Sequence, residues 1–200
     1  MTKHKTILKN YGGFLFVISG PSGVGKDTVV SEIKKLKHPY HYPITLTTRK
    51  PRIEEIDGTH YFFVNKTKFQ ELILQDQLLE WANVYGDLYG VPKEPVYKAL
   101  EKGTQVILKL DVQGALKIKS DFPKSTLIFI TAPDSELKSR LIKRMTESNE
   151  EISQRLETAK KEKKMIREFD YKINNKNGNL KDTVSQINKI INLVTNTNIK

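Results

Sequence analysis

One stretch of the chain, FVISGPSGVGKDTVV at residues 16–30, limits the possible folds more than any other feature of the sequence. It joins an apolar run of strand length to three glycines, a lysine and the start of a helix. Its middle nearly matches the pattern G-x-x-x-x-G-K-S/T, in which backbone N–H groups and a helix N-terminus surround phosphate groups. Gly20, Gly23 and Gly25 let the backbone turn tightly, and Lys26 supplies a positive charge. The stretch predicts a nucleotide phosphate loop, against the alternative of a glycine-rich turn with a surface lysine.

Asp27 departs from this pattern, because a serine or threonine hydroxyl is expected at its position. The next residue, Thr28, offers a hydroxyl that can take over as a metal ligand. A carboxylate beside a polyphosphate is electrostatically unfavourable unless a cation lies between them. We therefore expect either a bound metal ion or a basic side chain next to Asp27.

The rest of the chain alternates between strand-like and helix-like segments. Predicted strands lie at residues 14–19, 105–111, 126–132 and 170–174, and predicted helices at 26–36, 113–119, 134–145 and 180–194. Such alternation favours right-handed crossovers and a parallel sheet that is covered on both faces. The predicted fold class is α/β, with a doubly wound parallel sheet that carries the phosphate loop.

Two segments interrupt this alternation. Residues 40–91 are rich in Thr, Tyr, Phe and Pro, with short β-like runs and a helix at 66–75, and predict an inserted mixed β region. We expect Trp81, within it, to pack in a core. Residues 146–168 are polar and helical. A chain of 200 residues suits a single domain, with a core at about 12–39, 92–145 and 169–195.

The composition argues against several classes of protein. The net charge is +11, but the basic residues are scattered and not interleaved with aromatic residues, which favours small anionic ligands over nucleic acid. No apolar run reaches the ~18 residues of a membrane span, and we expect no signal peptide. The absence of cysteine excludes disulfides and thiolate metal sites. We expect a cytoplasmic protein that binds neither nucleic acid nor membrane, and a homo-oligomer is compatible with the sequence.

A second group of candidate residues follows the loop. In TLTTRKPR, Arg49 and Arg52 are spaced so that two guanidinium groups are able to grip one phosphate, although surface arginines are the plainer interpretation. Downstream, Glu80 stands in sequence among aromatic residues that include Tyr61 and Tyr89. A carboxylate in such surroundings suits a base with paired N–H donors, as guanine has.

A third group is basic and lies near the polar helical segment. Arg140 and Arg144 have the i, i+4 spacing that places two side chains on one helix face, and Arg155 follows. Arginines on a mobile segment are able to close over a transferring phosphoryl group. The alternative is ordinary helix-surface charge.

From residue 14 to about 193 the chain resembles the guanylate kinase family. The resemblance rests on GPSGVGK, TTRKPR, DGTHYFFV, LLEWANVYGDLYG, LDVQGA and RLIKRMTES…QRL, which stand in the expected order and spacing. It implies a parallel core, a GMP-binding insertion at about 40–91 and a lid at about 146–168. It also implies Mg²⁺-dependent transfer of a phosphoryl group from ATP to GMP, and to dGMP, in purine nucleotide metabolism.

The resemblance assigns roles to individual positions. ATP would be bound by Gly20, Pro21, Ser22, Gly23, Val24, Gly25, Lys26, Asp27 and Thr28, with Asn175 near the adenine. GMP would be bound by Thr45, Arg49, Arg52, Tyr61, Glu80, Tyr89 and Asp111. The catalytic cations would be Lys26, Arg49, Arg140, Arg144 and Arg155, and the metal would lie near Thr28 and Asp111.

Three positions depart from the family pattern. Asp27 replaces a small residue or hydroxyl, Val91 replaces a Ser or Thr that contacts guanine, and Lys109 replaces an acidic residue. Because the strand that carries Lys109 should run beside the phosphate loop, we hypothesise that Asp27 and Lys109 form an ion pair. The loss of a hydroxyl at Val91 predicts the loss of one hydrogen bond to the base.

Two other functions stay open at this point. The first is that of the ribose 1,5-bisphosphate phosphokinase group, whose phosphate loop also tends to read G-K-D, although Arg52, Glu80 and DVQG resemble the GMP site. The second is a non-catalytic guanylate-kinase-like binding module. Such modules have typically lost the phosphate loop, whereas Lys26 is present in this chain.

Overall fold

The structure of the protein is a computed structural model that describes residues 11–84, 86–143 and 149–197. Its strands are β1 (Leu15–Ser19), β2 (Leu46–Thr47), β3 (Phe62–Phe63), β4 (Leu78–Val84), β5 (Asp87–Pro92), β6 (Val106–Lys109), β7 (Thr126–Thr131) and β8 (Tyr171–Asn174). Its helices are α1 (Lys26–Lys35), α2 (Lys66–Leu74), α3 (Lys93–Glu101), α4 (Val112–Asp121), α5 (Asp134–Lys143), α6 (Asn149–Lys164) and α7 (Leu180–Thr197), and a 3₁₀ turn at Met165–Glu168 follows α6. No helix in the described part of the chain combines the length and the apolar character needed to cross a membrane.

A parallel sheet with the strand order β6-β1-β7-β8 forms the centre of the molecule. Side chains of a strand alternate between the two faces of a sheet. Phe16 and Ile18 of β1 accordingly pack with residues of α1, α5 and α7, whereas Leu15 and Val17 pack with residues of α3 and α4. Helices therefore cover both faces, and the predicted doubly wound α/β fold is confirmed.

The register of this sheet positions the site. In the parallel pair β1 and β6, Ile18 lies opposite Lys109. The carboxyl ends of parallel strands share one edge of the sheet, where ligands bind in open α/β folds. The loop after β1 and the residues Lys109 and Asp111 at the end of β6 are therefore neighbours at that edge.

A second, mixed sheet has the strand order β3-β2-β5-β4 and lies entirely within residues 46–92. β2 pairs in parallel with β3, while β5 is antiparallel to both β2 and β4. A small core of Leu46, Phe69 and Leu78 supports it. This sheet carries Glu80 on β4 and Tyr89 on β5, and both line the same cavity as the phosphate loop.

Two expectations differ from the structure. Trp81 was expected in a core, but it is 39% exposed, so that prediction is wrong. Leu78, Leu79 and Glu80 at the start of β4 are buried, and exposure of this strand begins at Trp81. The second difference is that no helix was predicted at residues 93–101, where α3 lies. Pro92 and Pro95 lie at the start of that helix, where the missing N–H groups have no intrahelical partner to lose.

Candidate active site

The segment between β1 and α1 is shaped by two of its glycines. Gly20 has φ 143°, and a β-carbon there would overlap the carbonyl oxygen of Ile130 on β7. Gly25 is the N-cap of α1 with φ 94°, and it leaves the start of the helix without a side-chain cap. The first N–H groups of α1 thus face the loop, which is the arrangement that binds anions.

Lys26, the first residue of α1, is folded back onto this loop. Its Nζ donates hydrogen bonds to Gly20 O at 2.6 Å and to Pro21 O at 3.3 Å. Burial lowers the pKa of Lys26, whereas the carboxylates of Glu162 and Asp27 act in the opposite direction. A cation held inside an anion-binding loop is the part that a phosphate loop needs to contact a nucleotide.

Two residues predicted near the nucleotide support the loop from behind. Asn175 Nδ2 and Arg140 Nη1 donate to Val24 O at 2.8 and 3.0 Å. The amide oxygen of Asn175 accepts from Thr183 Oγ1 at 3.1 Å, and Arg140 Nη2 donates to Asn175 O at 2.8 Å. In this structure Asn175 and Arg140 therefore fix the conformation of the loop.

A cavity of about 260 Å³, here called the central cavity, joins the loop to the second sheet. Its wall includes Ser22, Lys26, Asp27, Thr45, Tyr61, Glu80, Tyr89, Lys109, Asp111 and, from α6, Thr158 and Glu162. Ser22, Lys26 and Asp27 of the predicted phosphate loop thus face the same space as the predicted guanine-binding residues Thr45 and Glu80. Arg49, Arg52 and Thr28 lie elsewhere, as described below.

Glu80 is the most buried carboxylate of this wall, with 4% of its surface exposed. Burial raises its pKa to about 7, and the nearby Asp111 carboxylate adds to the rise. Asp111 is the N-cap of α4, and its side chain accepts the N–H of Gly114 at 2.7 Å. A buried carboxylate with a raised pKa at a cavity wall is typical of a functional site.

Arg49 is held by a carboxylate that the sequence analysis did not single out. Its Nη2 lies 2.8 and 2.9 Å from the two carboxylate oxygens of Glu55, and its Nε donates to Tyr89 Oη at 3.2 Å. The guanidinium also lies 5.6 Å from the ring centroid of Tyr61. Arg52 is exposed, and its backbone N–H donates to Glu55 at 2.8 Å.

A second cavity of about 770 Å³, here called the outer cavity, lies between α1 and the segment 42–61. Arg52 and Thr28 line this cavity rather than the central one. The structure therefore places the predicted metal ligands Thr28 and Asp111 on different cavities. Thr45, Tyr61, Asp27 and Lys109 line both cavities and form the wall between them.

The ion pair between Asp27 and Lys109 is present, which confirms the hypothesis drawn from the sequence. Lys109 Nζ donates to Asp27 Oδ1, and it also donates to Tyr61 Oη at 3.0 Å. Although burial alone would lower the pKa of Lys109, Asp27 and Tyr61 raise it above its ordinary value. The basic partner that Asp27 required is therefore a side chain of the neighbouring strand.

The helix α6 brings two further side chains to the loop. Arg155 Nη1 lies 3.5 Å from Ser22 Oγ. Glu162 accepts a hydrogen bond from the backbone N–H of Ser22, and its buried Oε2 has no hydrogen-bond partner among the described residues. Burial raises the pKa of Glu162, as does Asp111, while Lys26 lowers it. The sequence KKEKK gave no signal for Glu162, because its burial depends on how α6 lies over the loop.

Two expectations are not decided by this geometry. Arg144 lies outside the described residues. Val91 is buried opposite Glu80 in the pairing of β4 and β5, so the predicted loss of a hydrogen bond to the base stays a prediction. Within residues 11–84, 86–143 and 149–197, no group of three or more His, Cys, Asp or Glu side chains is arranged to hold a metal ion.

Comparison with known proteins agrees with this arrangement. A sequence model described as guanylate kinase matches residues 13–193. The guanylate kinase of Streptococcus mutans is 48% identical over 165 residues, which are 82% of this chain and 79% of that relative. The guanylate kinase of Clostridioides difficile is 42% identical over 180 residues, or 90% of this chain and 87% of that one. Among solved structures, the guanylate kinase of Anaplasma phagocytophilum matches with a TM-score of 0.76 and 28% identity, covering 92% of this chain and 87% of that chain.

Proposed function

The chain belongs to the guanylate kinase family, and on this premise we propose that its central cavity transfers the γ-phosphoryl group of ATP to GMP, and also to dGMP. One observation carries the assignment to this cavity. The buried carboxylate of Glu80 faces the same space as Lys26 and the phosphate loop. The side chain proposed to bind guanine and the loop proposed to bind the phosphates of ATP thus share one cavity.

On the donor side, the loop residues 20–28 would bind the phosphates of ATP. The backbone N–H groups at the start of α1 and the ammonium of Lys26 supply donors and positive charge. Lys26 would exchange its hydrogen bonds to Gly20 O and Pro21 O for phosphate oxygens. Asn175 and Arg140 would keep the loop in shape from behind.

On the acceptor side, Thr45 and Glu80 would bind the guanine edge. The ionised carboxylate of Glu80 accepts two hydrogen bonds, which matches the N1–H and N2–H donors of guanine. Arg49 and Tyr61 would bind the phosphate group of GMP together with Arg52, which supplies its charge from the outer cavity. Tyr89 lies next to Arg49 and Tyr61 and completes this subsite.

The chemistry needs no general base from the protein. The acceptor is a phosphate oxygen of GMP, and phosphate monoesters lose their second proton near pH 6. The contribution of the chain is alignment of the two phosphate groups, neutralisation of charge and exclusion of water. Among the described residues, we assign neutralisation of charge to Lys26, Arg49, Arg52 and Arg155.

The carboxylates present also fit a magnesium ion. Mg²⁺ prefers oxygen ligands and is usually held by one or two carboxylates plus the phosphates of its nucleotide. Asp111 and Glu162 both line the central cavity, and one oxygen of Glu162 is buried with no partner in the part of the chain that the structure describes. When bound with ATP, the ion would neutralise the β- and γ-phosphates. Thr28, predicted as a ligand, lies at the outer cavity, so Asp111 and Glu162 are the better candidates in this conformation.

We further propose that residues 40–91 act as the GMP-binding region and residues 146–168 as a lid. Arg155 and Glu162 on α6 both reach Ser22 of the loop. Motion of α6 would therefore change access to the phosphate-binding groups directly. Arg144 precedes the lid by two residues and lies outside the described residues. The cytoplasmic location predicted from the sequence stays a prediction.

An acceptor panel tests the proposed function. ATP consumption is measured with GMP, dGMP, AMP, UMP and ribose 1,5-bisphosphate at saturating Mg²⁺. We expect transfer to GMP and dGMP, and at least about 10²-fold lower kcat/KM with AMP, whose base lacks the N1–H donor that Glu80 would bind. Transfer to ribose 1,5-bisphosphate without transfer to GMP would refute the proposal.

A further inference from the structure

Lys109 stands where the donor loop, the core sheet and the acceptor region meet. From the end of β6, its Nζ contacts the Asp27 carboxylate in the first turn of α1 and Tyr61 Oη at 3.0 Å. The same nitrogen lies 5.0 Å from the centroid of the Tyr61 ring. Lys109 thus links the helix that follows the phosphate loop to the segment that carries Tyr61.

The chemistry of these groups fixes the direction of the hydrogen bond. An ammonium group donates and cannot accept, whereas a phenol oxygen accepts and also has one proton to donate. Because Lys109 Nζ is in ion-pair contact with the Asp27 carboxylate, it is present as an ammonium group. Tyr61 Oη must therefore accept from Lys109, and its own O–H proton is left for a different acceptor.

The neighbouring tyrosine is arranged in the same way. Tyr89 Oη accepts from Arg49 Nε at 3.2 Å, and the ring centroids of Tyr61 and Tyr89 are 6.1 Å apart. Both side chains line the central cavity. Two hydroxyl groups thus accept from the cations Lys109 and Arg49 and have protons to donate to a group in the cavity.

We propose that Lys109 is a positioning residue for GMP. Its ammonium donates to the oxygen of Tyr61, so that the Tyr61 O–H proton points to the phosphate group of GMP and donates to it. The inference rests on the function proposed above and adds a residue to it. Lys109 also neutralises Asp27, and an experiment has to separate these two roles.

The separation is made in an Asp27→Asn background, in which Lys109 has no carboxylate to neutralise. GMP and guanosine binding are measured for Asp27→Asn and for Asp27→Asn with Lys109→Met. We expect the added Lys109→Met change to weaken GMP binding about tenfold or more, the size expected when a hydrogen bond to a charged group is lost. Guanosine, which has no phosphate, should bind both proteins equally.

Tyr61→Phe removes the hydroxyl that is proposed to donate to the phosphate group of GMP. It tests the proposal even if the Lys109→Met variant does not fold. It should weaken GMP binding by a similar factor and spare guanosine. Combined with Asp27→Asn and Lys109→Met, it should add less than about threefold, because both changes remove one interaction. A rescue of GMP binding by Lys109→Arg is expected, since the guanidinium also donates.

The control is the pair Lys119–Asp170, which has an Nζ–Oδ2 distance of 3.0 Å and lies outside both cavities. Lys119→Met in an Asp170→Asn background should leave the ratio of GMP to guanosine affinity unchanged. Unchanged GMP binding after Lys109→Met in the Asp27→Asn background, or equal losses for GMP and guanosine, would overturn the inference. Absence of GMP phosphorylation by the unsubstituted enzyme would instead refute the proposed function.

Discussion

The carboxylate of Glu80 lies against the α-carbon of Gly114, so closely that a β-carbon added to Gly114 would stand 2.9 Å from Glu80 Oε1. Folded proteins essentially never show a β-carbon so close to another heavy atom, so Glu80 or Gly114 would have to move. Gly114 lies in the first turn of α4, and its N–H is bound by Asp111. The position of the proposed guanine reader therefore depends on the absence of a side chain in the helix that packs against it.

Gly114→Ala should displace Glu80 without unfolding the protein. Alanine is a better helix former than glycine, by about 1 kcal/mol, and no left-handed backbone is needed at this position. We expect KM for GMP to rise about tenfold or more, while the affinity for ATP changes less. Gly12→Ala is the control, since an added β-carbon there meets Gly103 Cα at an ordinary 3.4 Å. An unchanged KM for GMP in Gly114→Ala would contradict the placement of Glu80.

Glu80→Gln should stabilise the free protein at alkaline pH. The pKa of Glu80 is raised to about 7 from an ordinary 4.5, so the native state binds the proton more tightly than the unfolded state. Stability is then lost as the pH rises from about 4.5 to about 7, by roughly 3 kcal/mol. Urea unfolding at pH 8 should show the variant as more stable by that amount, and the difference should vanish near pH 4.5. Equal stability at both pH values would show that Glu80 is not held in a desolvated site.

The apparent affinity for GMP should fall as the pH drops below 7. Protonated Glu80 has lost the negative charge that favours the two guanine N–H donors, so KM for GMP should rise by up to about tenfold per pH unit in that range. The phosphate of GMP also titrates near pH 6. In Glu80→Gln, KM for GMP should depend on pH only through the GMP phosphate. The experiment therefore compares the pH profile of KM for GMP between the unsubstituted protein and Glu80→Gln. Identical profiles would count against Glu80 as the guanine reader.

Glu162→Gln should change the binding of anions and cations in opposite directions. The carboxylate of Glu162 accepts the Ser22 N–H and lies near Lys26, so its charge opposes ATP and favours Mg²⁺. Calorimetry with ATP in EDTA should show tighter binding to the variant, by about threefold to tenfold for the loss of one nearby like charge. The Mg²⁺ concentration for half-maximal activity should increase by a similar factor.

Glu157→Gln, at an exposed position of the same helix, is the matched control for that experiment. It should change neither quantity by more than about twofold. If Glu162→Gln instead weakens the binding of ATP in EDTA, then the carboxylate supports the loop and does not compete with phosphate.

The sequence predicted the parts of this structure that depend on local pattern. The apolar run before the glycines and the helix after Lys26 specify β1, the loop and α1 with little help from the rest of the chain. The pair Asp27–Lys109 was also predictable, because two parallel strands place their carboxyl ends side by side. An acidic residue at position 27 together with a basic residue at position 109 therefore predicts a contact between the two side chains.

What the sequence did not reveal depends on packing between distant segments. Glu162 reaches Ser22 only because α6 folds back over the phosphate loop. Glu55 is only six residues from Arg49, but their pairing depends on a loop conformation that the local pattern does not predict. The role of Gly114 is set by Glu80, which lies on the other sheet. A helix glycine and a glutamate among lysines look ordinary until those neighbours are known.

Transfer of label from ATP to GMP, compared between the unsubstituted protein and Lys26→Ala, tests the central claim most directly. With [γ-³²P]ATP and GMP, we predict label in the β-phosphate of GDP, formed one for one with ADP. The Lys26→Ala variant should transfer label about 10²-fold or more slowly, because it lacks the cation in the loop. Label absent from GDP, or transfer at the same rate in both proteins, would contradict the account.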